Sequence, residues 1–324
     1  MINGKGYLYA NNNGGSNEAM TIEIEGQLQP WNEGLSLNLD YDVTASFAGW
    51  NLVGNPFAHN VTTYATTNVA EGCFRMNDTR DDLMVSEISA TDPLQPMEGF
   101  FVKATGMDAT ITFNAQGNAK SSGEEGSIFV EVSENGKTLD RLIVKGSDRK
   151  PLEKFSLNDR RTKVFTVRDH REMAIVPCEG NEQAVSFKAA KNGAYTINVN
   201  VENMDLAYLH LIDNMTGADV DLLQTPEYTF EAKSTDYASR FKLVFSTNGN
   251  TDGDEASFAF ISNGNIIVNG TGTLQVFDVL GRQVFTKELS TANYQLSTAN
   301  FPAGVYVLRL IQGDNVKTQK IVVR

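Results

Sequence analysis

Cysteine and histidine are scarce in this chain of 324 residues. There are two cysteines, Cys73 and Cys178, and three histidines, His59, His170 and His210. Two distant cysteines are too few for a thiolate metal site, and they read as free thiols. No histidine sits in an HExxH or HxH pattern. His59 follows a Gly-Asn-Pro-Phe turn, His170 lies in a charged turn, and His210 alternates with Leu209 and Leu211 in a strand. Each reads as a surface or hydrogen-bonded residue rather than a ligand. GxSxG, Walker, GxGxxG and CxxC motifs are all missing, so no enzyme and no cofactor are expected. No run of eighteen apolar residues occurs, which excludes a membrane-spanning helix. An apolar leader after Met1 is also missing. The chain is therefore expected to be the C-terminal part of a longer protein, or to begin late. Basic charge is in deficit, with 27 Lys and Arg against 40 Asp and Glu, a net charge of −13. Nucleic acid and anionic membranes are poor partners for such a surface.

What the chain does have is strand pattern. Thr21–Glu25, Leu35–Leu39, Gly99–Lys103, Ile111–Phe113, Ile128–Val132 and Tyr195–Val201 alternate apolar and polar residues or form short β-branched and aromatic runs. They recur between Gly, Asn, Asp and Pro turns, which predicts an all-β chain of antiparallel sandwiches. One short helix is expected, over Arg80–Ile88. The polar stretch 118–126 and the Asn-, Gly- and Asp-rich stretch 248–257 mark boundaries. The expected organisation is a sandwich region at 1–117 and a second at 118–247, either independent of the first or forming one composite sandwich with it. A linker at 248–257 and a terminal module at 258–324 follow.

The terminal module carries the most specific motifs. Its strands Leu274–Phe277, Val305–Leu310 and Lys320–Val323 are punctuated by Leu280-Gly281-Arg282, Pro302-Ala303-Gly304 and Gln312-Gly313-Asp314. The order DVLGRQV, then FPAGVYVLRL, then a basic KIVVR end resembles the C-terminal sorting domain of the type IX secretion system of Bacteroidetes. Asp278, Gly281, Arg282, Pro302, Gly304, Tyr306 and Lys320 carry the match. Where members usually open on Pro-Asn-Pro, this chain has Ile261-Ser262-Asn263-Gly264-Asn265. The resemblance implies an immunoglobulin-like sandwich that directs a cargo across the outer membrane. Upstream, Gly49-Trp50-Asn51-Leu52-Val53-Gly54-Asn55-Pro56-Phe57 resembles a signature of Bacteroidetes surface proteins. There it belongs to one sandwich, together with segments like Gly4–Ala10 and Pro96–Val102. Trp50, Leu52 and Phe57 are expected to supply core bulk.

The resulting expectation is a non-catalytic, adhesin-like or structural segment of a cell-surface or secreted protein. Its partners would be the outer-membrane secretion machinery or other surface proteins. One alternative is a glycan-binding sandwich, in which exposed Trp31 with Tyr7 and Tyr9 would stack on sugar rings. Another is a non-catalytic appendage of a larger surface hydrolase. Asp252, Asp254 and Glu255 are a weak calcium candidate without EF-hand spacing. Asp213, Asp219 and Asp221 read as turn and surface residues.

Overall fold

The structure is a computed structural model. It describes residues 2–8, 23, 29–114, 126–146, 149–247, 258–262, 264–291, 294–313 and 315–323. Tyr9, the Thr21–Glu25 strand apart from Glu23, and the calcium candidate Asp252, Asp254 and Glu255 lie outside them. Among the described residues there are strands and one short 3-10 turn, Thr298–Asn300, but no α-helix. The helix expected over Arg80–Ile88 is a turn followed by strand Leu83–Ser86. Arg80 takes a left-handed φ of 54°, and Leu83 and Val85 are buried with the period of two that a strand requires. Cross-strand pairing of Met76 through Cys73 with Leu83 through Ser86 settles the competition.

Two compact units emerge. The first comprises residues 1–178, 185–203 and 227–239. Within it, strand Trp50–Gly54 pairs with Gly99–Lys103, and a bridge ties Lys5 to Val53. Segments near residues 5, 50 and 100 are therefore neighbours in one sheet. Leu35–Asn38, Thr110–Phe113 and Ala65–Thr67 form a second sheet. The core here is Val53, Phe57, Val61, Phe100, Val102, Ile111 and Phe113, with Cys73. Strand parity makes Val53 the core residue and leaves Leu52 half-buried. Trp50 faces the other way and stacks on Phe155, 4.2 Å between ring centres. Asn55 closes the motif: its Nδ2 donates to the carbonyls of His59, Leu94 and Gln95, and its Oδ1 accepts from the Phe57 N–H. Hydrophobic Cys73 is inert, because burial pushes its thiol up to about 12.

The rest of the first unit is a larger sheet. Gly193–Glu202 lies between Ser127–Glu134 and Glu227–Ala232, with Tyr195, Ile197 and Val199 turned inward. Among the described residues Arg171–Pro177 and Lys137–Lys145 run parallel, while Ser127–Glu134 is antiparallel to both Lys137–Lys145 and Gly193–Glu202. Asp169 and His170 form the two-residue turn before Arg171 with positive φ at both positions, as the twist of a tight hairpin demands.

The second unit comprises residues 179–184, 204–226 and 240–324. Strand Leu206–Asp213 pairs with Asp219–Asp221 on one side and Phe241–Thr247 on the other. Asp213 is buried, contrary to its expected place at the surface. Its carboxylate takes two bonds from Arg240, at 3.0 and 2.8 Å, and accepts from the Met215 N–H. The Arg240 and Asp213 side chains retain 2% and 0% of their exposure. A planar guanidinium meeting a carboxylate in two places offsets part of the desolvation of both. The terminal module follows, as two facing sheets. Gln283–Leu289, Gly272–Phe277, Gly304–Gln312 and Asn315–Val323 form one, and Ala259–Ser262, Asn265–Val268 and Tyr294–Ser297 the other. Ile266, Val268, Leu274, Val276, Tyr306, Leu308, Leu310 and Ile321 fill the space between.

The smaller of these sheets is covered on both faces. Ala259, Ile266 and Val268 point into the module. Phe260 and Ile267, of opposite parity, pack on Tyr208, Ile212 and Val244. The Phe260 ring meets Tyr208 edge-on at 5.4 Å. Asn269 donates to Ser246 at the margin of this contact.

Two outcomes are expected. Arg240→Met leaves the Asp213 carboxylate buried without its partner and costs about 3–5 kcal/mol in chemical denaturation. Burial alone would raise the Asp213 pKa, but bonds from Arg240, the Met215 N–H and Thr216 hold it below the ordinary carboxylate value. Its contribution is therefore whole above about pH 4, the unfolded carboxylate range, and is lost as pH falls through the folded value. Wild type should lose stability over that acid window, and the variant should lose less. Separately, Phe260→Ala should cost about 3–5 kcal/mol, read as a lowered melting temperature of the second unit.

Candidate functional site

The terminal module builds its motif residues into two exposed features. The first is the turn from Asp278 to Arg282, between strands Gly272–Phe277 and Gln283–Leu289. The Asp278 carboxylate accepts from the Leu280 and Arg282 N–H groups, at 2.9 and 3.0 Å, and from Arg282 Nε at 2.7 Å. Its backbone closes the same turn against Gly281 and Arg282. Gly281 sits at φ +74° with open space around it, so the demand there is for backbone conformation alone. Slight burial pushes the Asp278 pKa up, but the Arg282 backbone and side chain and the Leu280 N–H bring it below the ordinary value. The outcome is a stiff turn that holds Val279 and Leu280 out in solvent, 73% and 75% exposed.

The second feature is the corner before strand Gly304–Gln312. Ser297 caps the Thr298–Asn300 turn by accepting from the Ala299 N–H. The chain then passes through Phe301 and Pro302. Tyr306 reaches back and donates its hydroxyl to the Pro302 carbonyl at 2.8 Å, while its ring meets Phe301 edge-on at 5.3 Å. A tyrosine tied to backbone a few residues upstream is a recurring corner device of β-sandwiches. Here it shapes a shallow cavity of about 160 Å³ lined by Val284, Phe285, Leu296, Asn300, Phe301, Pro302 and Tyr306. Gly304 has room for a side chain and an ordinary φ, so neither sterics nor backbone conformation explains it.

Lys320 lies exposed on Asn315–Val323, opposite Val307, and this strand is the edge of its sheet. Val316 and Val322 beside it are 46% and 52% exposed. Gln319 on the same strand bonds both the N–H and the carbonyl of Ala259, stitching the edge to the facing sheet. The module is basic: Arg282, Lys287, Arg309, Lys317, Lys320 and Arg324 outnumber Asp278, Glu288 and Asp314 in a chain of net charge −13. That reversal favours an acidic partner surface.

Trp31 is 63% exposed and Tyr7 50% exposed. The Tyr7 hydroxyl accepts from the Ile2 N–H. His59 stacks on Phe57. His210 lies flat on Tyr208, 4.0 Å between rings, with Nδ1 2.7 Å from Asp219 and Nε2 4.0 Å from Asp221. Its two carboxylates stand on opposite ring nitrogens, so they do not converge on one point. Among the described residues no group of three His, Cys, Asp or Glu side chains is placed to hold a metal. Neither Cys73 nor Cys178 is in a disulfide with another described residue. What sequence reasoning missed was the second face of the smaller sheet. The signal was present as the unbroken apolar runs Phe258–Ile261 and Ile266–Val268, since a strand buried on both sides does not alternate.

Comparison with known families agrees with this geometry. A search of curated proteins finds no match to the chain. Residues 259–324 match the family described as the secretion system C-terminal sorting domain. That range takes in both sheets of the terminal module, the Asp278–Arg282 turn and the Tyr306 corner. The terminal sandwich is thus a type IX secretion C-terminal sorting domain, and the chain is a secreted or cell-surface protein of that export route.

Proposed function

We propose that this chain is the non-catalytic, structural or adhesin-like part of a bacterial surface protein, delivered by its own terminal sorting domain. The observation that supports it most is the seat of Phe260 and Ile267 on Tyr208, Ile212 and Val244. The address is packed against the strands that precede it, so sorting domain and cargo travel as one folded body in this unit. The stiff apolar tip of Val279 and Leu280 and the basic edge strand with Lys320 are the surfaces it offers to the export machinery. The GWNLVGNPF region fits the same reading, as a displayed sandwich.

Two experiments test this. In the native host, intact cells carrying the full gene with or without residues 258–324 are treated with protease, and released peptides are mapped. Peptides from 29–247 should be released only when the tail is present, and equal release without it sinks the proposal. Leu280→Asp keeps the Asp278-capped turn and should lower surface display while leaving the melting temperature near that of wild type. Display unchanged in that variant would remove the tip from the recognition surface.

A second reading rests on Trp31, whose indole is largely open to solvent. Exposed indole faces stack on sugar rings. A glycan array should then show binding by wild type that Trp31→Ala abolishes, and the absence of binding by wild type dismisses this reading.

A further inference from the structure

Lys154 and Asp140 meet inside the first unit. Lys154 Nζ lies 2.6 Å from Asp140 Oδ1, and the two side chains keep 5% and 3% of their exposure. Asp140 belongs to strand Lys137–Lys145 and Lys154 directly follows strand Leu152–Glu153. Both strands pair with Arg171–Pro177. A tight frame holds the two groups together. Lys154 Nζ also donates to the Arg141 carbonyl at 2.9 Å and the Val164 carbonyl at 3.0 Å. Asp140 Oδ2 accepts from the Val164 N–H at 2.8 Å. These bonds and the low exposure fix both groups in place.

Ions removed from water this completely are costly even as a pair. Moving one proton across the 2.6 Å contact turns them into a neutral amine and a carboxylic acid. Burial pushes both groups in that direction, raising the Asp140 carboxyl and lowering the Lys154 ammonium against each other's attraction. A neutral amine is a nucleophile, and a protonated carboxyl is its electrophile. Fixed in contact, they react at the high effective concentration of an intramolecular pair.

We propose that the folded chain joins Lys154 Nζ to Asp140 Cγ in an isopeptide bond. The ammonium first gives a proton to the carboxylate. The amine lone pair then forms the N–C bond at Cγ, and the carbonyl π electrons move to oxygen. Nitrogen releases one proton, the hydroxyl takes one up, and its C–O bond breaks as the carbonyl re-forms. One amide and one water result, with no change of oxidation state and no co-reactant. Asp82, itself buried and holding Ser156 Oγ and the Leu157 N–H, is a second carboxylate whose charge favours the Lys154 ammonium, so the neutral pair forms against it. The bond would lock strand Lys137–Lys145 to the segment after Leu152–Glu153. A displayed protein would gain a cross-link that no reductant opens.

Mass spectrometry of the purified, denatured full chain decides the matter. The expected mass is one water, about 18 Da, below that of the sequence. Trypsin should release peptide 138–141 joined to peptide 150–160, because an acylated Lys154 is not cleaved. Lys154→Met and Asp140→Ala should each show their full sequence mass. The wild-type result stands without them if either fails to fold. A wild-type chain at full mass overturns the proposal. So does a loss of water that maps elsewhere, such as a succinimide at Asp252-Gly253.

Discussion

The contact of Phe260 and Ile267 with Tyr208, Ile212 and Val244 is the interaction on which the second unit depends. A three-stranded sheet of four-residue strands has little apolar area with which to hold itself together. Covering it on both faces turns a marginal layer into the centre of three. The same contact decides what the sorting domain can show to a partner. Its outer small-sheet face is occupied by cargo. Val279 and Leu280 at the turn and Val316 and Val322 on the edge strand are exposed.

Buried charge gives the two units a common logic with different chemistry. Asp213 and Arg240 form a two-bond pair, and arginine's guanidinium stays protonated under any condition the fold survives. Asp140 meets a lysine instead, a point charge that loses its proton when desolvated. The first pair can only be a salt bridge. The second has a neutral form, and the neutral form is reactive. The difference lies in one side-chain type at equal burial, which is why the lysine site carries the covalent proposal and the arginine site does not.

Much of this was legible in the sequence. Leu35, Ile111, Ile128 and Tyr195 all begin or lie within strands that their alternation announced. In the terminal module Gly281 takes a left-handed φ and Tyr306 bonds a carbonyl four residues back. Three things were not legible. Arg80–Ile88 has no decisive local preference, and only pairing with Cys73–Met76 makes it strand. Asp213 resembles any turn aspartate until Arg240, 27 positions away, is folded beside it. Lys154 and Asp140 sit among ordinary surface-like charges in the sequence, and their burial is a property of the assembled sheet.

The exposed tip shows how a fold can carry a function at some cost to itself. Val279 and Leu280 stand exposed on a turn braced by the bonds to Asp278 from Leu280 and Arg282, with Gly281 in the left-handed region. An acid, a glycine and an arginine in a span of five residues thus maintain two apolar side chains in water. Nothing within the module benefits from this arrangement. Association of such a surface with an apolar partner would recover hydrophobic free energy that folding leaves unused.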